Sequence, residues 1–212
     1  MDETSGVIVA GGHSVRMGEI EKAVVEVAGT PLIRRVADRL LEATDRLVVN
    51  CRSDQRSAIE TVLSGYEPRF AIDPEPDRGP VAGIATGLGA VETEYAAVVA
   101  VDMPFLDPAL IRYLFERAEG YDAAVPRPSE WFEPLHSVYK CEPMIRACER
   151  ALETPNPRII EPLASLSLSV IDRKELLEHG SLDSFESIDT PEDVQWASER
   201  LRESFDDIDE PG

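Results

Sequence analysis

The chain alternates short apolar runs with segments whose apolar residues recur every three or four positions. In the first half, the apolar runs predict strands at 5–10, 46–51, 69–73 and 95–101. Helical spacing predicts helices at 31–43, 54–63, 81–91 and 108–118. Short β-branched runs are typical of buried parallel strands, and amphipathic spacing is typical of helices that pack on a sheet. The alternation therefore predicts parallel strands joined by helices.

The second half has a looser pattern. Apolar runs there predict strands at 122–126, 134–140 and 166–172, and helical spacing predicts helices at 142–152 and 190–203. Thr30-Pro31 and Thr190-Pro191 each fit a helix N-cap followed by proline at the first helical position. Asp107, just before a proline, fits the same capping role.

Segment 81–91 contains three glycines and is a poor helix by propensity. We still predict a helix, because small residues permit close packing on a sheet. Together the elements predict an α/β fold with a mostly parallel central sheet and helices on both faces. We expect one domain over residues 1–204 and an acidic, disordered tail over 205–212.

The formal net charge is −20, and only three lysines accompany eighteen arginines. A nucleic-acid-binding surface needs a basic footprint, so the charge argues against that class. The acidic residues are spread along the chain. These charges repel one another at low ionic strength, but at about 1 M salt the Debye length falls to about 3 Å and the repulsion is screened. We therefore predict a protein of a halophile with a salt-rich cytoplasm.

Cysteine spacing and hydropathy together indicate where the protein is located. The three cysteines are odd in number and show no C-x-x-C spacing, which argues against disulfides and a zinc site and favours small buried thiols. No apolar run is long enough to cross a bilayer. The acidic start lacks the basic and apolar segments of a secretory signal. We expect a cytoplasmic protein without membrane contact.

The most informative stretch is VIVAGGHSVRMGEIEK, residues 7–22. A glycine pair after the first strand lets backbone approach a ligand closely, and outward N–H groups can hold phosphate oxygens. The stretch matches neither a Walker A loop nor a dinucleotide fingerprint. By itself, the pair Gly11-Gly12 is more often a plain turn. Arg16 and Lys22 on the same loop favour a phosphate-binding role instead, because two cations can neutralise a polyphosphate.

Two further acids fall at predicted strand ends, where ligands bind in parallel sheets. Asp102 follows the most apolar strand, a position suited to Mg²⁺, which takes one or two carboxylates plus substrate phosphates. Asp73 could reach a nucleotide sugar or base, or could be a turn acid before Pro74. The combination predicts phosphoryl or nucleotidyl transfer with Mg²⁺ as cofactor.

The same stretch resembles the A-G-G-x-S-x-R-M-G-x-x-K signature of nucleotidyltransferases with a Rossmann-like fold, with three residues instead of two between Gly18 and Lys22. GPVAGIATGL at 79–88, VDMPFLDP at 101–108 and FESIDTPEDV at 185–194 narrow the resemblance to molybdenum cofactor guanylyltransferases, the MobA family. The resemblance runs from about residue 5 to 201. It implies a three-layer α/β/α fold of the nucleotide-diphospho-sugar transferase type. It also implies transfer of GMP from GTP to molybdenum-molybdopterin, with release of pyrophosphate.

The resemblance also implies site residues. The family's nucleotide loop corresponds to Val9, Ala10, Gly11 and Gly12, and its second glycine loop corresponds to Gly79, Pro80 and Gly83. The positions that bind the nucleotide phosphates correspond to Lys22 and Arg16, and further nucleotide-binding positions correspond to Asn50 and Asp73. The position of the Mg²⁺ ligand corresponds to Asp102. Catalysis is expected from Lys22, Asp102 and Arg16. Glu21 stands where the family often has aspartate. His136 could face the pterin acceptor, although a plain strand residue is the simpler interpretation.

Alternatives remain open at this point. Within the class, the enzyme could transfer CMP to the same cofactor, or GMP to another phosphorylated acceptor such as phospholactate. A nucleotide-binding regulator without catalysis would not need Lys22 and Asp102 together. A sugar-phosphate nucleotidyltransferase fits the short C-terminal half less well. Molybdoenzymes or their chaperones are further candidate partners.

Overall fold

The computed structural model describes residues 3–12, 21–75 and 78–206, without the side chains of residues 204–206. Its strands are β1 (Ser5–Val9), β2 (Glu26–Val27), β3 (Thr30–Pro31), β4 (Arg46–Cys51), β5 (Arg69–Ile72), β6 (Tyr95–Ala100), β7 (Ala123–Arg127), β8 (His136–Lys140) and β9 (Leu168–Asp172). Its α-helices are α1 (Leu32–Leu41), α2 (Arg56–Val62), α3 (Pro80–Gly89), α4 (Pro108–Ala118), α5 (Cys141–Ala151), α6 (Arg173–His179) and α7 (Pro191–Asp206). Short 3-10 helices occur at Lys22–Val24, Pro162–Ser165 and Leu182–Phe185.

Seven strands form the central sheet, in the order β5-β4-β1-β6-β8-β7-β9. β8 runs antiparallel to β6 and β7, and the other neighbouring pairs are parallel. The chain leaves β1 toward β4 on one side and later enters β6 on the other. Such a reversal of strand order opens a crevice at the carboxyl ends of the strands. The predicted mostly parallel α/β sheet is confirmed.

Side chains of β1 alternate between two hydrophobic clusters. Ile8 points to the cluster that contains Leu40 of α1 and Leu110 of α4. Val7 points to the other face, where Ile84 of α3 and Met144 of α5 pack. Successive strand residues face opposite sides of a sheet, so both faces are buried under helices. The result is the predicted three-layer arrangement.

The glycines of α3 explain why this segment is helical despite its poor propensity. A Cβ added to Gly87 would lie 2.5 Å from Cγ1 of Val7 on β1. Glycine at this position therefore lets the helix lie close against the sheet. Close packing stabilises a helix that the isolated sequence would favour only weakly.

One predicted helix start was wrong. Thr30 does not cap α1; it pairs with Val27 in a short antiparallel hairpin. Ala28 and Gly29 have φ angles of 51° and 76°, the positive pair that a tight two-residue hairpin turn requires. The hairpin uses the backbone of Thr30, so the helix begins only at Leu32.

The cap of the last helix is confirmed. The Thr190 hydroxyl accepts a hydrogen bond from the backbone N–H of Asp193 at 3.2 Å, and the Asp193 carboxylate accepts one from the N–H of Thr190 at 2.8 Å. This is a reciprocal capping box. Helix α6 was not predicted, because seven residues give too short a periodic signal. The cap of that helix is the carboxylate of Asp172, which accepts from the N–H of Glu175.

The C-terminal helix packs on the hairpin. Val27 and Leu32 form a small apolar cluster with Ile188, Ala197 and Leu201. α7 continues to Asp206, two residues into the predicted tail, and residues 207–212 lie outside the described part of the chain. The division into one domain and a tail stays a prediction. Within the described ranges, no helix combines the length and apolar character that a membrane span requires.

Candidate active site

A cavity of about 660 Å³ opens at the carboxyl edge of the sheet, around the end of β1. Its volume is in the range of small-molecule sites. Eleven of the residues matched from sequence line it: Val9, Ala10, Gly11, Gly12, Lys22, Asn50, Asp73, Gly79, Pro80, Gly83 and Asp102. Arg16 and the rest of segment 13–20 lie outside the described residues. The structure thus brings these residues together, and their individual roles stay predictions.

Three charged side chains meet on the β6 side of β1. The Lys22 ammonium donates to Oδ2 of Asp102 at 2.7 Å and to Oδ1 of Asp189 at 2.8 Å. The lysine side chain is only 12% exposed. Burial opposes its charge, but the two carboxylates more than offset that effect, so the pKa of Lys22 is raised. The lysine therefore stays charged at neutral pH, and its charge is balanced within the protein.

Sequence analysis assigned no role to Asp189, although it lies within FESIDTPEDV. The segment docks through Ile188, whose N–H donates to the carbonyl oxygen of Asp102 at 2.9 Å. The N–H of Asp189 in turn donates to the capping carboxylate of Asp193 at 2.9 Å. One strand end and one helix start thus fix the two acids around Lys22. The only sequence signal was an acid placed directly before a capped helix.

An amide and a carboxylate meet on the β4 side of β1. Nδ2 of Asn50 donates to Oδ1 of Asp73 at 2.7 Å and to the carbonyl of Ala71 at 3.2 Å. Asn50 is fully buried, and its Oδ1 has no hydrogen-bond partner in the described part of the chain. Burial raises the pKa of Asp73, and hydrogen bonds from Asn50 and Thr86 oppose that shift. The hydrogen bonds from Nδ2 fix the orientation of the Asn50 amide beside Asp73 at the cavity wall.

Two of the predicted glycines make room for this pair. A Cβ on Gly11 would lie 2.3 Å from Oδ2 of Asp73, and one on Gly83 would lie 2.7 Å from Oδ1 of Asn50. We expected Gly11 to let the backbone approach a ligand closely, and Gly83 to belong to a second glycine loop near the nucleotide. In the structure they also make room for the polar side chains that line the cavity.

The second glycine loop leads into α3. Gly79 is the residue before the helix, with a φ of 78° that favours glycine, and Pro80 is the first helical residue. Both line the cavity, together with Glu75, Arg78 and Leu135, which sequence analysis did not assign. The amino end of α3 therefore directs its partial positive charge toward the cavity.

His136 is a buried strand residue. Its side chain is fully buried, and its Nε2 lies 3.3 Å from the hydroxyl of Ser184. Burial lowers its pKa to about 3, against a weaker opposing effect of Asp107, so the imidazole is neutral at pH 7. Asp107 itself caps α4 as predicted, accepting from the N–H of Ala109 at 2.8 Å. The simpler interpretation of His136 from sequence is confirmed.

The three cysteines are buried free thiols, as predicted. They are Cys51, Cys141 and Cys148. Burial raises the pKa of each to about 12. The thiolate is the reactive form of cysteine, so these residues are inert at neutral pH.

Known proteins are similar to this chain in sequence and in fold. The family model of the MobA-like NTP transferase domain matches residues 6–166. A relative from Natronomonas pharaonis, named probable molybdenum cofactor guanylyltransferase, is 64% identical over 95% of this chain and 100% of its own. A relative of the same name from Haloferax mediterranei is 39% identical over 92% of this chain and 93% of its own.

A solved structure agrees with these relatives. Molybdopterin-guanine dinucleotide biosynthesis protein A from Archaeoglobus fulgidus has a TM-score of 0.79 and 30% identity, covering 94% of this chain and 99% of its own. The matched family model includes most of β1, the glycine pair and Asp102, all of which contribute to the cavity. The chain therefore belongs to the molybdenum cofactor guanylyltransferase family and is a nucleotidyltransferase of molybdenum cofactor biosynthesis.

Proposed function

We propose that this enzyme transfers GMP from GTP to molybdenum-molybdopterin and releases pyrophosphate. The observation that carries the proposal is the meeting of Lys22 and Asp102 in the same cavity as the glycine loop. The two relatives named probable molybdenum cofactor guanylyltransferase support the acceptor. Three free buried cysteines fit the reducing cytoplasm, which we propose as its location.

The reaction is a displacement at the α-phosphorus of GTP. An oxygen of the acceptor's terminal phosphate forms a bond to that phosphorus, and the bond to the bridging oxygen of the β-phosphate breaks. Negative charge shifts onto the leaving pyrophosphate, so cations and backbone N–H groups aimed at the phosphates lower the barrier. Lys22, the glycine loop and the amino end of α3 lie where they can supply this stabilisation.

Lys22 must change partners to do so. In the structure, its ammonium is paired with Asp102 at 2.7 Å and with Asp189 at 2.8 Å. A polyphosphate in the cavity offers the ammonium oxygens of higher negative charge. We infer that the Lys22 ammonium then breaks its contact with at least one of the two carboxylates and binds the phosphates instead.

The carboxylates that Lys22 releases fit Mg²⁺. Among the described residues, no group of three or more His, Cys, Asp or Glu could hold a metal ion by itself. Mg²⁺ needs only one or two protein carboxylates, because waters and substrate phosphates complete its shell. Asp102 and Asp189 converge on one point, and their oxygens are hard donors of the required kind. They would hold the ion, which would neutralise charge on the phosphates.

The pair of Asn50 and Asp73 favours guanine over cytosine. An ionised carboxylate only accepts hydrogen bonds. The Watson–Crick edge of guanine offers two adjacent donors, N1–H and N2–H, whereas that of cytosine offers only the N4 amino group. Asp73 at the cavity wall, held by Asn50 at 2.7 Å, is suited to the guanine pattern. This supports GTP against the alternative donor CTP.

A pyrophosphate-release assay tests the proposal. The protein is supplied in high salt with Mg²⁺, molybdenum-loaded molybdopterin and one of GTP, CTP or ATP. We expect turnover with GTP alone. A preference for CTP would move the assignment to CMP transfer. Turnover of GTP with phospholactate but not with molybdopterin would instead indicate transfer of GMP to another acceptor.

A further inference from the structure

The two stems of the nucleotide loop are tied together by residues that no motif identifies. One stem is Ala10–Gly12 at the end of β1, and the other is Glu21 just before Lys22. Between them lies segment 13–20, which is outside the described residues. Arg52 and Gln55 follow β4 and are buried under both stems.

Arg52 contacts both stems with one guanidinium group. Its Nη1 donates to the carbonyl oxygens of Gly11 at 3.1 Å and Gly12 at 3.2 Å. Its Nη2 donates to Oε2 of Glu21 at 3.2 Å, and its Nε donates to Asp54 at 3.2 Å. The side chain is only 8% exposed. Its donors therefore serve contacts within the protein, and Arg52 acts on a ligand through the loop.

Gln55 repeats this bridge. Its Nε2 donates to the carbonyl oxygen of Ala10 at 3.0 Å and to Oε1 of Glu21 at 2.7 Å. Its Oε1 accepts from the backbone N–H of Arg52 at 2.7 Å, which fixes the two bridging residues to each other. The two oxygens of Glu21 are thus divided between Gln55 and Arg52.

The bridge also sets the direction of the backbone. The carbonyls of Ala10, Gly11 and Gly12 all point to Gln55 or Arg52. In a trans peptide the N–H points opposite to the carbonyl, so the N–H groups of Gly11 and Gly12 are turned away from the bridge. Both glycines line the cavity. Consecutive N–H groups with a shared direction form an anion-binding concavity.

We propose that Arg52, Gln55 and Glu21 are positioning residues for the nucleotide triphosphate. They form a stem bridge that turns the N–H groups of Gly11 and Gly12 toward the phosphates and holds Lys22 at the far end of the loop. The inference rests on the proposed function, because it takes GTP as the ligand. It adds Arg52 and Gln55, which lie outside the glycine signature, and gives Glu21, inside the signature, a positioning role.

Arg52→Met and Glu21→Gln test the bridge. Arg52→Met removes the guanidinium group but keeps a side chain of similar length. Glu21→Gln puts an amide N–H donor where Arg52 and Gln55 need an acceptor. We expect each to weaken binding of a fluorescent GTP analogue about tenfold or more, since charge-assisted bonds are lost. The KM for GTP should rise, while the KM for the molybdopterin acceptor changes less than about twofold. The double variant should lose less than the product of the two single losses.

Arg69→Met is the matched control. Arg69 is 56% exposed and pairs with Glu92 on the surface, so nucleotide binding should stay at the wild-type level. Binding is measured below the melting temperature of each variant, and Glu21→Gln carries the test should Arg52→Met not fold. Wild-type affinity in the variants, or an equal rise in KM for both substrates, would overturn the bridge alone. Failure of the wild-type protein to bind GTP would overturn the proposed function and the bridge with it.

Discussion

Lys22, Asp102 and Asp189 meet on the β6 side of the cavity as three charges, whereas Asn50 and Asp73 meet on the β4 side as a hydrogen-bonded amide and carboxylate. We call the first group the ionic side and the second the amide side. Each contact of the ionic side joins opposite charges. The amide side is confined by glycines that leave no space for a Cβ.

The difference indicates two tasks. A buried lysine needs a counter-charge, and on the ionic side Asp102 and Asp189 supply it. Under the proposed function, phosphates that enter the cavity would take over part of this pairing. The amide side is held in one geometry by its hydrogen bonds and the glycines around it, which under the proposed function suits selection between bases. The predictions below test whether the two sides differ in this way.

Asp102→Asn should have the largest effect. The substitution keeps the side-chain volume and removes the charge, so turnover should fall at least about 10³-fold, because several kcal/mol of charge stabilisation go with the carboxylate. Pyrophosphate release measures turnover, and a circular-dichroism melt should show that the fold survives. Activity like that of the wild type would refute Asp102 as the metal ligand.

Lys22→Met should come next, with two opposite results. Turnover should fall about 10²-fold or more, because a cation aimed at the phosphates is lost. Binding of Mn²⁺ without nucleotide should instead tighten about tenfold, because Lys22 no longer competes for Asp102 and Asp189. Electron paramagnetic resonance of free Mn²⁺ measures the second result. Weaker Mn²⁺ binding would contradict the exchange of partners, and a rate loss under twofold would remove Lys22 from the mechanism.

Gly83→Ala tests the amide side. The added methyl would lie 2.7 Å from Oδ1 of Asn50 and 2.9 Å from Cγ1 of Val9. Overpacking of this kind costs about 1–3 kcal/mol, so the KM for GTP should rise about tenfold and the melting temperature should fall.

Gly89→Ala is the control in the same helix, because nothing lies within 4 Å of its Cβ position. That variant should bind GTP normally and gain up to about 1 kcal/mol of stability from helix propensity. Equal effects of the two variants would show that the amide side does not depend on Gly83.

Added salt should change the cavity less than any of these substitutions, but it should measurably raise the stability of the whole chain. The net charge of −20 is spread over the surface, so molar KCl should raise the melting temperature. Each kcal/mol gained would add about 2–4 °C at this chain length. Relatives from Natronomonas and Haloferax fit the expectation of a halophile. Equal melting in dilute buffer and in molar KCl would contradict it.

Sequence analysis predicted the parts of this protein that depend on local pattern. β1 and the helix α4 have strong periodic signals, and α4 was predicted at its observed bounds. The hairpin at Ala28-Gly29 was missed, since alanine gives no sign that it will adopt a positive φ. α6 was missed because one face of a seven-residue helix holds too few apolar positions.

The same contrast holds for the site. The glycine pair, Lys22 and Asp102 could be assigned because they follow apolar strands in a recognisable motif. Asp189 and Arg52 could not, because neither is near Lys22 in sequence. The ion pair of Lys22 and Asp189 spans 167 residues. Contacts at such separation depend on where α7 packs, and no local pattern carries that information.

By itself, the sequence determined the alternation of strands and helices, the glycine loop with its lysine and the acid after β6. It did so because backbone preferences and strand ends are local properties. Only the tertiary structure decided that Lys22 is held between two carboxylates, that Gly83 makes room for Asn50 and that Arg52 joins both loop stems. Those features depend on distances between elements, which hydrophobic packing on the two faces of the sheet fixes.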